Sequence, residues 1–330
     1  MKSVIEYKYY VTKQKGCAGV NKAESTSLQE LNGAEHADSN TSLWTDFKAL
    51  IKTGIINSNL LTAFGGFWLA LYMTNEQFVH HIPAFIYTML GSGLVIAGGC
   101  VINNYYDRDI DHVMKRTKKR PTVTGTIPLS VVLTMGIGFT VLGVGFLFLT
   151  TWQAAAIGIF GWFAYVILYT MWSKRRYTIN TAIGSFSGAV PPLIGYAAID
   201  GGLSTEAWIV FAIMFIWQTP HFLALAMKKA EDYKAANIPM LPSVYGFGIT
   251  KRQIIIYTVC LLPLPFYLTT LGTVFVAIAT VLNVGWLAIG IAGFFMKDDL
   301  KWANWMFIYS LNYLMIFFIA LVVFTTPAIF

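Results

Sequence analysis

From about residue 52 onward the chain is a series of long apolar runs separated by short polar breaks. Nine runs reach bilayer-spanning length, at roughly 52–73, 82–104, 128–150, 153–172, 179–199, 206–227, 253–271, 273–295 and 303–327. Over such lengths only helices satisfy their own backbone inside lipid, so the pattern predicts an all-α, polytopic membrane protein with nine transmembrane helices. Residues 1–45 carry no long apolar run and no secretory signal pattern, and they mix Lys, Glu, Ser, Asn and Gly. That composition predicts a disordered cytoplasmic tail ahead of a single transmembrane domain over 46–330.

Polar residues are not shared evenly between the breaks. The connections near 74–81, 151–152, 200–205 and 272 hold no Lys or Arg, so all 23 basic residues fall on the other side. By the positive-inside rule that side faces the cytoplasm, and nine crossings put Phe330 outside a plasma membrane. The composition, 56% hydrophobic and 12% charged, agrees with a membrane protein. The net charge of +7 could suggest a nucleic-acid partner, but its placement marks membrane topology instead. Cys17, Cys100 and Cys260 are far apart and show no metal-type spacing.

The most informative break is INNYYDRDIDHVMKRTKKRPTVTG, 102–125, after the second apolar run. Asn103, Asp107 and Asp111 stand at i, i+4 and i+8, which on a helix stacks three oxygen-bearing side chains on one face. Acidic groups are costly at a membrane edge and contribute little to orientation. Lys115, Arg116, Lys118, Lys119 and Arg120 follow directly. Two carboxylates and an amide oxygen suit Mg²⁺, which is usually shared with substrate phosphates, and the basic residues suit a diphosphate. A further break, YTMWSKRRYTIN, brings Lys174, Arg175 and Arg176 to the same side.

The break at 217–246 echoes the first, following an apolar helix and leaving through Pro239 and Pro242. The echo four helices later suggests a duplicated unit, with two polar loops meeting over one cavity. Its acids, Glu231 and Asp232, are adjacent and so do not share a helix face. His221 stands near this break at the end of an apolar span, where either a packing or a functional role fits. Tyr105, Tyr106, Tyr169 and Trp217 sit at the same ends and are suited both to cation–π stabilisation of a carbocation and to interface anchoring. No P-loop, G-x-S-x-G, H-E-x-x-H or cysteine cluster occurs.

The motif Asn103–Asp107–Asp111, closing with Arg116-Thr117 and Arg120-Pro121, resembles the UbiA-type intramembrane prenyltransferases. NNYYDRDID, YTMWSKRR, SGAVPPLIGY, PHFLALA and EDYKAANIPMLP are similar to the branch that farnesylates haem B, and the likeness covers about 45–325. It implies nine helices around a cavity, Mg²⁺ as cofactor, and farnesyl diphosphate and haem B as substrates. It further implies transfer of farnesyl to a haem vinyl group with addition of water, giving haem O, and a haem A synthase as the downstream partner. By position, Asn103, Asp107 and Asp111 would hold Mg²⁺, and Arg116, Arg120, Lys174 and Arg175 the diphosphate. His221, Lys228 and Asp232 would serve the haem side. Quinone-type members carry a second Asp-rich motif where this chain has Lys228, Lys229, Glu231 and Asp232, which leaves a second Mg²⁺ site open and agrees with the haem branch. The competing readings are a quinone-precursor acceptor, or a transporter with its acids on an ion path. The acids here lie at one face of the membrane, whereas coupling acids usually sit near its middle.

Overall fold

The computed structural model describes residues 42–326. The expected tail up to Thr41, with Cys17 and His36, and the terminal Phe330 lie outside the described residues.

Helices α1 (Leu43–Ile51), α2 (Thr53–Thr74) and α3 (Ile82–Asp111) open the fold. A short α4 (Pro121–Thr124), α5 (Leu129–Phe148) and α6 (Trp152–Phe163) follow, and α6 runs on as a π-helix over Ala164–Ser173. Then come α7 (Asn180–Ala197), α8 (Thr205–Lys228) and the short α9 (Ala230–Ala235). The chain ends with α10 (Leu241–Cys260), a 3₁₀ stretch (Leu264–Leu271), α11 (Thr273–Ala292) and α12 (Asp299–Thr325). No strand occurs among the described residues.

Eight of the described helices are long and apolar enough to cross a membrane, and the chain is a multi-pass membrane protein. The ninth expected crossing is α7, which has the length but not the apolarity. The reason is its position. Asn180, Thr181 and Ser185 are buried along it, and its second half is buried almost throughout, so α7 faces protein rather than lipid. Gly66 of α2 lies against the Pro192 carbonyl, and Gly195 against the Ala63 carbonyl, so that a Cβ at either position would overlap backbone. Small residues at a crossing let helix backbones approach this closely in membranes. On the other side α3 packs on α5 through a second close crossing.

Two boundaries differ from the hydropathy reading. α3 does not end near residue 104 but continues through Asp111, about 45 Å of helix. α10 starts at Leu241 rather than near 253, and Gly246 breaks it with φ 78°. Lys251 and Arg252 therefore lie in a helix rather than a loop. Lys251 is buried, pairs with Asp299, donates to the Gly293 carbonyl at 2.7 Å and stands over the Trp302 ring.

Candidate functional site

Because α3 is continuous, the i, i+4, i+8 spacing places Asn103, Asp107 and Asp111 on one face. All three are buried, with 3%, 0% and 1% of their surface exposed. Leaving two carboxylates dry and unpaired would cost several kcal/mol each. Cations from separate elements resolve this. Lys174, just past the π-helix, donates to Asp107 Oδ2, and Arg175 Nη2 lies 3.5 Å from Asp107 Oδ1. Arg120 donates to Asp111 Oδ2, and Lys52, between α1 and α2, donates to Asn103 Oδ1.

Local sequence explains how each cation arrives. Pro121 opens α4 and holds Arg120 extended at ψ 144°, as a residue before proline prefers. Thr117 Oγ1 donates to the Asp111 carbonyl at 2.8 Å, stapling the basic loop back onto the end of α3. Lys52 takes a left-handed conformation, φ 56° and ψ 61°, which is unfavourable for a residue with a Cβ. Asn104 Nδ2 donates to the Leu50 carbonyl at 2.8 Å and fixes the end of α1 beside α3. Burial pulls the Lys52 ammonium down to about 8, helped by the Arg120 and Lys174 charges and opposed by Cys100 and Asp107. In the sequence Lys52 is one of the 23 basic residues on the topology-marking side, and nothing in its spacing distinguishes it.

The structure divides the four expected diphosphate ligands. Lys174 and Arg120 stand on the Asp motif. The Arg175 fork is instead bidentate to the exposed Asp109, at 2.6 and 2.7 Å, and its plane covers the Tyr106 ring at 4.7 Å. Arg116 is exposed on the basic loop. Of the candidate cation-stabilising aromatics, Tyr105 and Tyr106 are covered by the guanidinium groups of Arg108 and Arg175. Tyr169 remains near Asp107, stacked on Tyr165 at 5.9 Å.

The two polar loops meet, as their echo in the sequence suggested. Met114 packs with Ala226, Ile238 and Met240, and Ile110 and Tyr233 close around that cluster. Burial pushes the Tyr233 phenol up, reinforced by Tyr169 and opposed by Arg116 and Lys174. Tyr233, next to Asp232 on α9, is a residue of this loop contact that the sequence reading passes over. Asp232 itself is half-buried.

His221 and Lys228 stand elsewhere, in the seam between α8 and α12. The His221 ring is stacked between Trp217 at 4.8 Å and Phe307 at 4.9 Å, with Nδ1 2.7 Å from Ser310 Oγ. Lys228 Nζ donates to Asn304 Oδ1 at 2.6 Å and lies over the same Phe307 ring at 4.6 Å. Trp217 Nε1 donates to the Ser310 carbonyl at 3.2 Å. The partners on α12 carried no motif and were not expected.

The donor set fits a hard cation. Asp111 Oδ1 is buried with no hydrogen-bond partner, while the other oxygen of the same carboxylate accepts from Arg120. No cluster of three or more His, Cys, Asp or Glu occurs among the described residues. Two carboxylates and one amide oxygen are nevertheless what Mg²⁺ uses when phosphate and water complete its shell.

A model of the UbiA prenyltransferase family matches residues 59–312. The protein called protoheme IX farnesyltransferase 2 of Bacillus velezensis is 59% identical over 285 residues, covering 86% of this chain and 93% of that one. Protoheme IX farnesyltransferase of Geobacillus thermodenitrificans is 53% identical over 304 residues, covering 92% and 99%. Among solved structures, a digeranylgeranylglyceryl phosphate synthase aligns with a TM-score of 0.66 at 18% identity, over 87% of this chain and 98% of that one. A UbiA homolog from Archaeoglobus fulgidus bound to DMAPP and Mg²⁺ aligns with a TM-score of 0.63 at 14% identity, over 84% and 99%. At these identities the two structures speak for the fold alone.

Proposed function

This chain belongs to the UbiA prenyltransferase family, and from that membership we propose that it transfers a farnesyl group from farnesyl diphosphate to a vinyl group of haem B, giving haem O and diphosphate. The relatives that share more than half of its residues carry the name protoheme IX farnesyltransferase. One structural observation carries the site assignment. Three buried oxygen ligands on one helix face are each held by a cation from a different element, and one carboxylate oxygen is bare.

In this reading Asp107, Asp111 and Asn103 Oδ1 would hold Mg²⁺, which would supply neutralisation of the charge on the leaving diphosphate. Lys174, Arg120 and Lys52 pass from the motif's oxygens to the phosphate oxygens, and Arg116 reaches in from the exposed loop. The allylic C1–O bond breaks with its electron pair leaving on diphosphate. C1 then bonds the terminal vinyl carbon of haem B. Water adds to the neighbouring carbon and gives up its proton. No protein base is required to start this sequence. Tyr169, stacked and beside Asp107, offers its ring to the allylic cation.

The acceptor side is assigned to His221 and Lys228 in the α8–α12 seam, with Asp232 contributing from α9, apart from them. Ser310 Oγ donates to the Phe307 carbonyl at 2.6 Å, so its remaining capacity toward His221 is as an acceptor. Nδ1 therefore carries the proton and Nε2 keeps its lone pair, the arrangement needed to ligate haem iron or to accept a hydrogen bond. Haem A synthase is the proposed consumer of the product.

The purified protein, given farnesyl diphosphate, haem B and Mg²⁺, should yield haem heavier by one farnesyl and one water, with one diphosphate released per haem. Release of diphosphate with haem B left unchanged would refute the acceptor. The orientation proposed is a plasma-membrane protein with its basic loops and N-terminus inside and its C-terminus outside, resting on the distribution of Lys and Arg. A cysteine placed at Gly201 should be labelled from outside and one at Lys118 should not; the reverse would overturn the orientation.

A further inference from the structure

Asn103 supplies an amide oxygen to the candidate cation site, and an amide presents its oxygen only if its nitrogen is satisfied elsewhere. Its Nδ2 has two hydrogens. One goes to Asp107 Oδ2 at 2.8 Å and the other to Thr170 Oγ1 at 3.1 Å. Thr170 is fully buried and lies in the π-helix, four residues before Lys174. Its own hydroxyl hydrogen is spent on the Tyr165 carbonyl at 2.9 Å. That carbonyl is five residues back, where a threonine in an α-helix would reach the third or fourth. The π register thus turns the Thr170 hydroxyl into a pure acceptor toward Asn103. A flipped amide would set its oxygen against both a carboxylate and a hydroxyl lone pair.

The two partners of this amide differ in one respect. Asp107 is itself a candidate cation ligand and is also held by Lys174, so its oxygens are redistributed when metal and diphosphate arrive. Thr170 is neutral and ligates nothing. We infer that Thr170 is a positioning residue that keeps the Asn103 amide turned with Oδ1 toward the cation, and that the π-helix exists at this point to hold it there. The parallel is visible in the spacing: Thr170 and Lys174, four apart, face Asn103 and Asp107, four apart. Long π-helices are uncommon and tend to mark functional sites.

The inference rests on the metal reading given above, and its test separates the two. Inorganic diphosphate binding to the purified full-length protein is measured by calorimetry across a Mg²⁺ series. Thr170→Val keeps the shape and removes the acceptor. It should raise the Mg²⁺ concentration for half-maximal binding by about tenfold, as loss of a group orienting a metal ligand does. Thr170→Ser should restore it. In an Asn103→Ala background Thr170→Val should add nothing, because the two act as one unit. Wild-type Mg²⁺ dependence in Thr170→Val would overturn the inference. Equal impairment of Val and Ser with a lowered melting temperature would overturn it in favour of packing. A full effect persisting without Asn103 would also overturn it. If wild-type protein binds diphosphate without regard to Mg²⁺, the metal reading itself fails and Thr170 falls with it.

Discussion

Two buried polar clusters of opposite character lie around the end of α3 and between α8 and α12. Around the end of α3 the groups are charged and oversupplied with cations: Lys52, Arg120, Lys174 and Arg175 face three carboxylates and an amide, and Asp111 Oδ1 remains bare. In the α8–α12 seam the groups are mostly neutral and mutually satisfied. His221, Ser310 and Trp217 exchange hydrogen bonds between aromatic faces, and Lys228 closes the stack on Phe307 and Asn304. Spare positive charge and a bare carboxylate oxygen are what the proposed Mg²⁺–diphosphate ligand would use. The aromatic cluster offers instead one uncommitted group, His221 Nε2, between two ring faces. The proposed function assigns these two clusters to different ligands, the first to the diphosphate and the second to the acceptor.

That contrast sets a graded series at the charged end, read as turnover of farnesyl diphosphate and haem B. Asp107→Ala and Asp111→Ala remove a candidate metal ligand and strand a cation. Each should lower turnover by roughly a thousandfold, about 4 kcal/mol of transition-state stabilisation, with normal membrane insertion. Lys174→Met leaves the metal ligands in place and should cost on the order of a hundredfold. Arg175→Gln should cost only a few-fold, because its fork is committed to the exposed Asp109 and only a 3.5 Å approach reaches Asp107. A deficit for Arg175→Gln as large as that for Asp111→Ala would erase the distinction between the motif's own cations and the surface pair beside it.

Much of this was legible from periodicity. Spacing of four on a helix put Asn103, Asp107 and Asp111 on one face, and the structure has them there. The meeting of the two polar loops was legible too, from their similar exits through proline. Three features were not. Lys52 was hidden because any lysine near a cytoplasmic helix start already satisfies the positive-inside pattern. Thr170 was hidden because its alignment depends on a π-helix, and hydropathy carries no signal at that period. The role of α12 in the seam was hidden because Asn304, Phe307 and Ser310 look like ordinary residues of an apolar span. α7 shows the reverse problem: its length was read correctly, but its burial, which permits Asn180, Thr181 and Ser185 inside the bundle, is a property of its neighbours.

The separation of the two ends is tested most directly by titrating each ligand alone against two purified variants. Asp111→Asn removes the charge at the bare oxygen, and His221→Ala removes the ring between Trp217 and Phe307. With Mg²⁺ present, Asp111→Asn should lose farnesyl diphosphate affinity by roughly tenfold or more and keep haem B affinity. His221→Ala should keep farnesyl diphosphate affinity and lose haem B affinity. Loss of both ligands in either variant, or unchanged haem B binding by His221→Ala, would contradict the account.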